Sequence, residues 1–216
     1  MRKISVFVAF LLLCSLTFFS CKKKDTKKSY TLIAAPANNP TEVHIWGNSD
    51  QNQSGVGAPE IGAAAWTANL ETVYMRAALK FDLSSIPADA TITSAKLTLY
   101  SNHTPLNGDQ SNANSGSDNT MLIQQIASPW APASVAWANQ PAAGTQNEII
   151  IPSTTVPFLD LADVDVSALI KNMLGANNNG FLIRLQTEEI YNCRIFCSSK
   201  YSAASKFPKL VVVYSH

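Results

Sequence analysis

The sequence predicts an all-β domain, a sandwich or barrel with one short helix. Three observations carry that expectation. Short apolar runs with a period of two recur along the chain, separated by clusters of Gly, Pro, Asn and Ser. One stretch only, DVDVSALIKNMLGANNNG, changes to helical spacing. Beyond an N-terminal apolar segment, about 195 residues remain, enough for one β-sandwich with a substantial core.

The strand-like runs are TLIAA, EVHIWG, RAALKFDL, ITSAKLTLYS, TMLIQQIA, EIIIPS, GFLIRLQ, RIFCSS and KLVVVYS. The stretch from Tyr74 to Tyr100 is the clearest. Arg76, Ala78, Lys80 and Asp82 alternate with Ala77, Leu79, Phe81 and Leu83, which puts the second set on one face. A turn containing Pro87 follows, and alternation resumes with Ala95, Leu97 and Leu99. Leu210 to Tyr214 is apolar at successive positions, which predicts a central strand. In EVHIWG, Val43 and Ile45 share one face, and Glu42, His44 and Trp46 share the other. GAAAWTANLET is read as a loop of small residues that carries Trp66. The helix is expected to bury Val166, Leu169, Ile170, Met173 and Leu174. Asp165 or Ser167 caps its start and Gly175 ends it. Asn102 to Asn119 is the longest loop.

The N-terminus reads as a targeting segment. Arg2 and Lys3 precede ISVFVAFLLLCSLTFFS, an uncharged apolar run that stops at Cys21. A small residue, Ser20, before that cysteine resembles a bacterial lipoprotein signal. The expected organisation is a signal over 1–20, a polar lysine-rich tether over 21–29 and one domain over 30–216. Cys21 is then the lipidated residue, and the chain is expected to be anchored to the outer membrane of a bacterial cell envelope. The net charge of +1 conceals an asymmetry. From Ser29 onward, 9 basic residues face 14 acidic ones, a balance of −5. No basic footprint for nucleic acid is present.

Cys193 and Cys197 are the cysteines left in the domain. A straight strand separates them by roughly 13 Å at ~3.3 Å per residue, too far for a disulfide. A bend in CRIFC would close the gap, so a bridge stays open as an alternative. No G-x-S-x-G, H-E-x-x-H or Gly-rich phosphate loop is present, and no enzyme is expected. No metal site or cofactor is expected either. The alternative weighed is a structural calcium at Asp160, Asp163 and Asp165, or beside Asp109 and Asp118, without EF-hand spacing.

Three pieces of the chain together resemble one family. The first is the Tyr74–Tyr100 stretch, with its basic residue, apolar run, Phe-Asp-Leu, proline and closing Ala-x-Leu-x-Leu-Tyr. The second is SPWAPASVAWANQPA, with Trp130, Val135, Trp137 and Pro141. The third joins DVDVSALIKNMLGANNNGFLIRL to the terminal FPKLVVVY. The resemblance is to the DNRLRE-type domain, similar to carbohydrate-binding module family 96, and runs from about Val43 to Tyr214. It implies a β-sandwich of jelly-roll type that binds polysaccharide without catalysis. Some relatives are associated with alginate or other polyuronates. The alternative is a structural or adhesive envelope protein that binds a protein partner.

Sugar recognition needs an aromatic face for the C–H side of a pyranose, with polar groups at its edge. Trp46 with His44, Trp66, and Tyr191 are the candidate ligand-binding residues on that ground. Arg76 and Arg194 join them, as arginines able to grip a carboxylate through paired hydrogen bonds, and Arg184 was weighed with them. Trp130 and Trp137 are read as structural.

Overall fold

The computed structural model describes residues 27–34, 42–48, 52–106, 112–174 and 177–216. The signal segment, Cys21, most of the tether, Asp109 and Gly175 lie outside the described residues. The strands are β1 (Ser29–Ala34), β2 (Glu42–Gly47), β3 (Asn52–Gly55), β4 (Glu60–Ala68), β5 (Glu71–Leu79), β6 (Thr91–Leu99) and β7 (Asn114–Ser115). They continue as β8 (Met121–Ile126), β9 (Ala143–Ile151), β10 (Leu161–Asp165), β11 (Phe181–Leu185), β12 (Asn192–Cys197) and β13 (Lys209–Ser215). The helix α1 spans Ser167–Leu174.

The fold is an all-β sandwich, as the alternation predicts. A four-stranded sheet has the order β1-β13-β6-β10. The second sheet has the order β7-β12-β4-β5-β11-β8-β9, and β2 and β3 extend it from β5. The main core fills the space between them. Ile61, Ala63, Ala65, Ala77, Leu79 and Phe181 enter it from one sheet, and Ala95, Leu97, Leu99, Leu210 and Val212 from the other. β13 is central in its sheet, as expected, but its two faces differ. Leu210 and Val212 are fully buried while Val211 and Val213 are half-buried.

The predicted strand RAALKFDL stops at Leu79. Phe81 and Leu83 nonetheless stay in the core, 2% and 5% exposed, because the chain folds back over the sheet in two successive turns. In those turns Ile86 N–H donates to the Leu83 carbonyl and Ala90 N–H to the Pro87 carbonyl. Helix α1 seats Leu169, Ile170 and Met173 in the main core. The Asp165 carboxylate accepts the Ser167 N–H at 2.9 Å and opens the helix. Ser167 Oγ serves a different purpose: it accepts the Ala95 N–H at 2.8 Å and ties the helix to β6.

GAAAWTANLET is not a loop. It forms most of β4, a tight turn and the start of β5, with Ala68 paired to Glu71. Alanine and glycine are poor strand formers on their own, so pairing on both sides imposes the strand. Asn69 and Leu70 take φ of 54° and 70°. Positive φ at both central residues of a two-residue hairpin is a type I′ turn, where Asn-Gly is the preferred pair. Leu70 occupies the glycine position and is fully exposed. A left-handed non-glycine residue costs roughly 1–2 kcal/mol, and Leu70 buries nothing to offset it. Leu70→Gly is therefore expected to raise unfolding stability by about 1 kcal/mol, read as a higher urea midpoint. An unchanged or lower midpoint would contradict the strain.

Candidate functional site

The site is a groove on β2, β4 and β5, of about 380 Å³, within the ~300–1,000 Å³ of small-molecule sites. The alternation of β4 sends Ile61, Ala63 and Ala65 into the main core and turns Glu60, Ala64 and Trp66 the other way. On β2, Val43 and Ile45 pack into a second apolar cluster while His44 and Trp46 line the groove. The groove thus lies on the face of β4 turned away from the four-stranded sheet.

Register sets the spacing of the two indoles. Trp46 pairs with Met75, Met75 pairs with Ala64, and Trp66 pairs with Val73. Two strand spacings of ~4.8 Å and two residues of ~3.4 Å put their Cα atoms roughly 12 Å apart. Met75 and Val73 of β5 lie between them, and the small residues Ala64, Ala68, Gly55 and Ala58 complete the lining. Both tryptophans are half-buried.

Beneath the indoles lie two buried titratable groups. His44 is 7% exposed. Burial pushes its imidazole down to about 4, against the opposing pull of a hydrogen bond to the Glu60 backbone. Nε2 has no hydrogen-bond partner. Glu60 is 3% exposed, and burial raises its pKa. Its Oε2 accepts the Asn102 Nδ2–H at 2.8 Å and the Leu106 N–H at 3.1 Å. The carboxylate therefore fastens the start of the Asn102–Asn119 loop to β4 and brings Leu106 to the groove wall.

The structure joins three of the six candidate ligand residues, His44, Trp46 and Trp66, in one groove, with Trp66 on a strand instead of in a loop. Tyr191 stands beside it. Its ring meets Trp66 edge-on at 5.2 Å and 86°, and it is 52% exposed, so it props the indole from outside the lining. Arg76 is elsewhere. Nε and Nη2 each donate to Glu188 at 2.7 Å, Nη1 donates to Gln140 at 2.9 Å, and the guanidinium lies 4.6 Å over Trp137. Trp137 in turn stacks on Tyr74 at 5.6 Å. Trp130 Nε1–H donates to the Asn179 carbonyl at 2.7 Å. Both tryptophans are half-buried and pack against the second apolar cluster.

Arg194 is a correction. It is fully buried, and no ligand at the surface reaches it. β12 lies between β4 and β7, and the segment around Pro152 closes over the guanidinium, whose Nη1 donates to the Pro152 carbonyl at 3.1 Å. The disulfide is a second correction. β12 keeps unbroken register with β4 from Asn192↔Ala65 to Cys197↔Glu60, with no bend to bring the sulfurs together. Cys193 and Cys197 remain buried thiols that donate to the Ala113 and Ser101 carbonyls, each at 3.6 Å. Among the described residues, no three acidic, histidine or cysteine side chains gather to hold a metal. Asp160 accepts the Ser101 N–H and pairs with Lys206, and Asp165 serves the helix start.

Sequence reasoning missed Glu60, Val73, Met75 and Leu106 as groove residues. The run Gly62–Ala65 carries no strand signal of its own, so β4, and with it the hairpin to β5, shows only through its pairing.

The sequence model of carbohydrate-binding module family 96 matches residues 64–214. The chain belongs to that family. No curated protein matches it. Within the matched span lie Trp66, Val73, Met75 and Leu106; His44 and Trp46 precede it, so this module builds part of its groove from β2, ahead of the matched residues.

His44 gives the module a testable acid sensitivity. Between pH 6.5 and 4 the unfolded chain binds a proton at residue 44 that the folded ring refuses, so acidification across that window removes about 3 kcal/mol of stability. Glu42 and Glu60 act in the opposite sense. Burial raises both, so their contribution is present below the ordinary 4.5 and fades as pH rises through the folded values. His44→Gln isolates the first effect. Its stability at pH 4, relative to wild type, is expected to improve by about 3 kcal/mol over the same comparison at pH 7. Parallel urea melts at the two pH values measure it, and equal pH slopes in both proteins would refute it.

Proposed function

We propose that this chain is a noncatalytic polysaccharide-binding module, held to the outer membrane through a lipid on Cys21. Sugar rings stack on Trp46 and Trp66, and the polar edges of the groove meet their hydroxyls. The observation that carries this reading is the meeting of two half-buried indoles, from separate strands, on either side of Met75 and Val73 of β5. A flat indole matches the C–H face of a pyranose, and the ~12 Å between the two strand positions offers two platforms to one extended glycan. Family membership supports the carbohydrate class. The N-terminal apolar run ending in Ser20-Cys21, followed by CKKKDTKKS, supports the anchor.

Glycan-array and insoluble-polysaccharide retention of the full chain test the binding. Trp46→Ala and Trp66→Ala are each expected to weaken retention about tenfold or more, ~1.4 kcal/mol or above, with thermal melts confirming that the fold persists. Trp66→Leu serves as a second variant that keeps apolar bulk on β4 but removes the ring. Retention equal to wild type in all three would defeat the stacking reading. The anchor has its own test. Cys21→Ser is expected to move the protein from the membrane pellet to the soluble fraction, and persistence in the pellet would count against lipidation.

A further inference from the structure

We propose that the Trp46–Trp66 groove selects glycans that carry no ionised groups and rejects uronate and sulfated polymers. The inference rests on the reading of this groove as the glycan site. A carboxylate that leaves water for a partly enclosed site loses several kcal/mol of hydration, and proteins offset that with arginine or lysine. Among the described residues, no arginine or lysine lines this groove. Besides Tyr74, its titratable lining residues are His44, which burial keeps neutral above pH 4, and Glu60, which is an acid. Its walls are Trp46, Trp66, Val73, Met75 and Leu106.

Nothing adjacent in sequence supplies the missing cation. The stretches 35–41, 49–51 and 107–111, which flank β2, β3 and Leu106, read APANNPT, SDQ and NGDQS. Their only charges are those of Asp50 and Asp109. The three arginines of the domain are committed to protein partners. Arg76 is locked to Glu188 and Gln140 over Trp137. Arg184 donates to Gln124 Oε1 at 3.1 Å and to the Leu185 carbonyl at 3.0 Å. Arg194 is sealed in the interior. The balance of −5 from Ser29 onward adds a repulsive field for any polyanion. What the groove offers is carbon surface and aromatic faces, which suit a sugar that presents C–H groups and hydroxyls.

Chemically matched polymers provide the test. Polygalacturonate and alginate are each paired with their carboxyl-reduced forms, and β-glucan, xylan and mannan complete the set. Retention of the full chain, the W46A variant and the W66A variant is measured by affinity electrophoresis at low and high salt. At least one neutral polymer is expected to bind, about tenfold or more tighter than any uronate, with affinity that changes less than about twofold with salt. Salt-sensitive binding of a uronate above its reduced form, lost in W46A, would overturn the charge selection and leave the glycan groove standing. Binding that survives both tryptophan variants would overturn the groove itself. Retention of no polymer would overturn both.

Discussion

The pairing of β5 with three other strands is the constraint on which the rest depends. Glu71–Met75 pairs with β4, Ala77–Leu79 with β11 and Tyr74–Leu79 with β2. Tyr74 and Met75 bond to β4 and β2 at once, so those two strands lie on opposite edges of β5. Ala77 to Leu79 likewise bond to β11 and β2, so β4 and β11 share one edge and part company at Arg76. A fork of this kind crowds three strand backbones around a few residues, and those residues are small: Ala63, Ala65, Ala77 and Ala78 are all fully buried. The alanine-rich composition of β4 and β5 follows from this crowding. The fork also brings β2 and β4 to either side of β5, and the two indoles with them.

Polar groups around the fork are settled in different ways. Glu60 is buried and answered by an amide side chain and a backbone N–H. Arg194 is buried with Nε and Nη2 lacking partners, against neutral oxygens of Pro152 and Asn119. A buried charge with incomplete partners costs free energy, so Arg194 reflects the geometry of β12 between covered faces and not a recognition device. Arg76 is the opposite case, a bidentate pair with Glu188 stacked on Trp137 and 21% exposed. Neither arginine is among the described residues that line the groove.

The parts legible in the sequence were those governed by one strand's own alternation. His44 and Trp46 share a face because β2 is a regular strand, and a period of two is enough to say so. The helix with Leu169, Ile170 and Met173 and the central β13 were legible for similar local reasons. What escaped was set by neighbours. β4 looks like a loop because Gly62 and Ala63–Ala65 carry no strand signal, and only pairing with β5 and β12 reveals why small residues are needed. At Gly62, an added Cβ would collide with the Arg194 carbonyl of β12. The burial of Arg194 depends on β7 and the Pro152 segment, both distant in the chain. The disulfide left open by the sequence does not form, and nothing in CRIFC announces that six consecutive residues pair in register with β4.

The first described strand and the last one meet on the layer opposite the groove. β1 is the edge strand of the four-stranded sheet, paired with β13 from Ser29↔Ser215 to Ala34↔Leu210, and Lys28 N–H donates to the His216 carbonyl. On the proposed function, a pull between a polymer lodged against Trp46 and Trp66 and the chain entering at Lys28 passes from one sheet of the sandwich to the other. The load reaches the ladder of six residue pairs between β1 and β13 first. That ladder thus stands between the load and the groove.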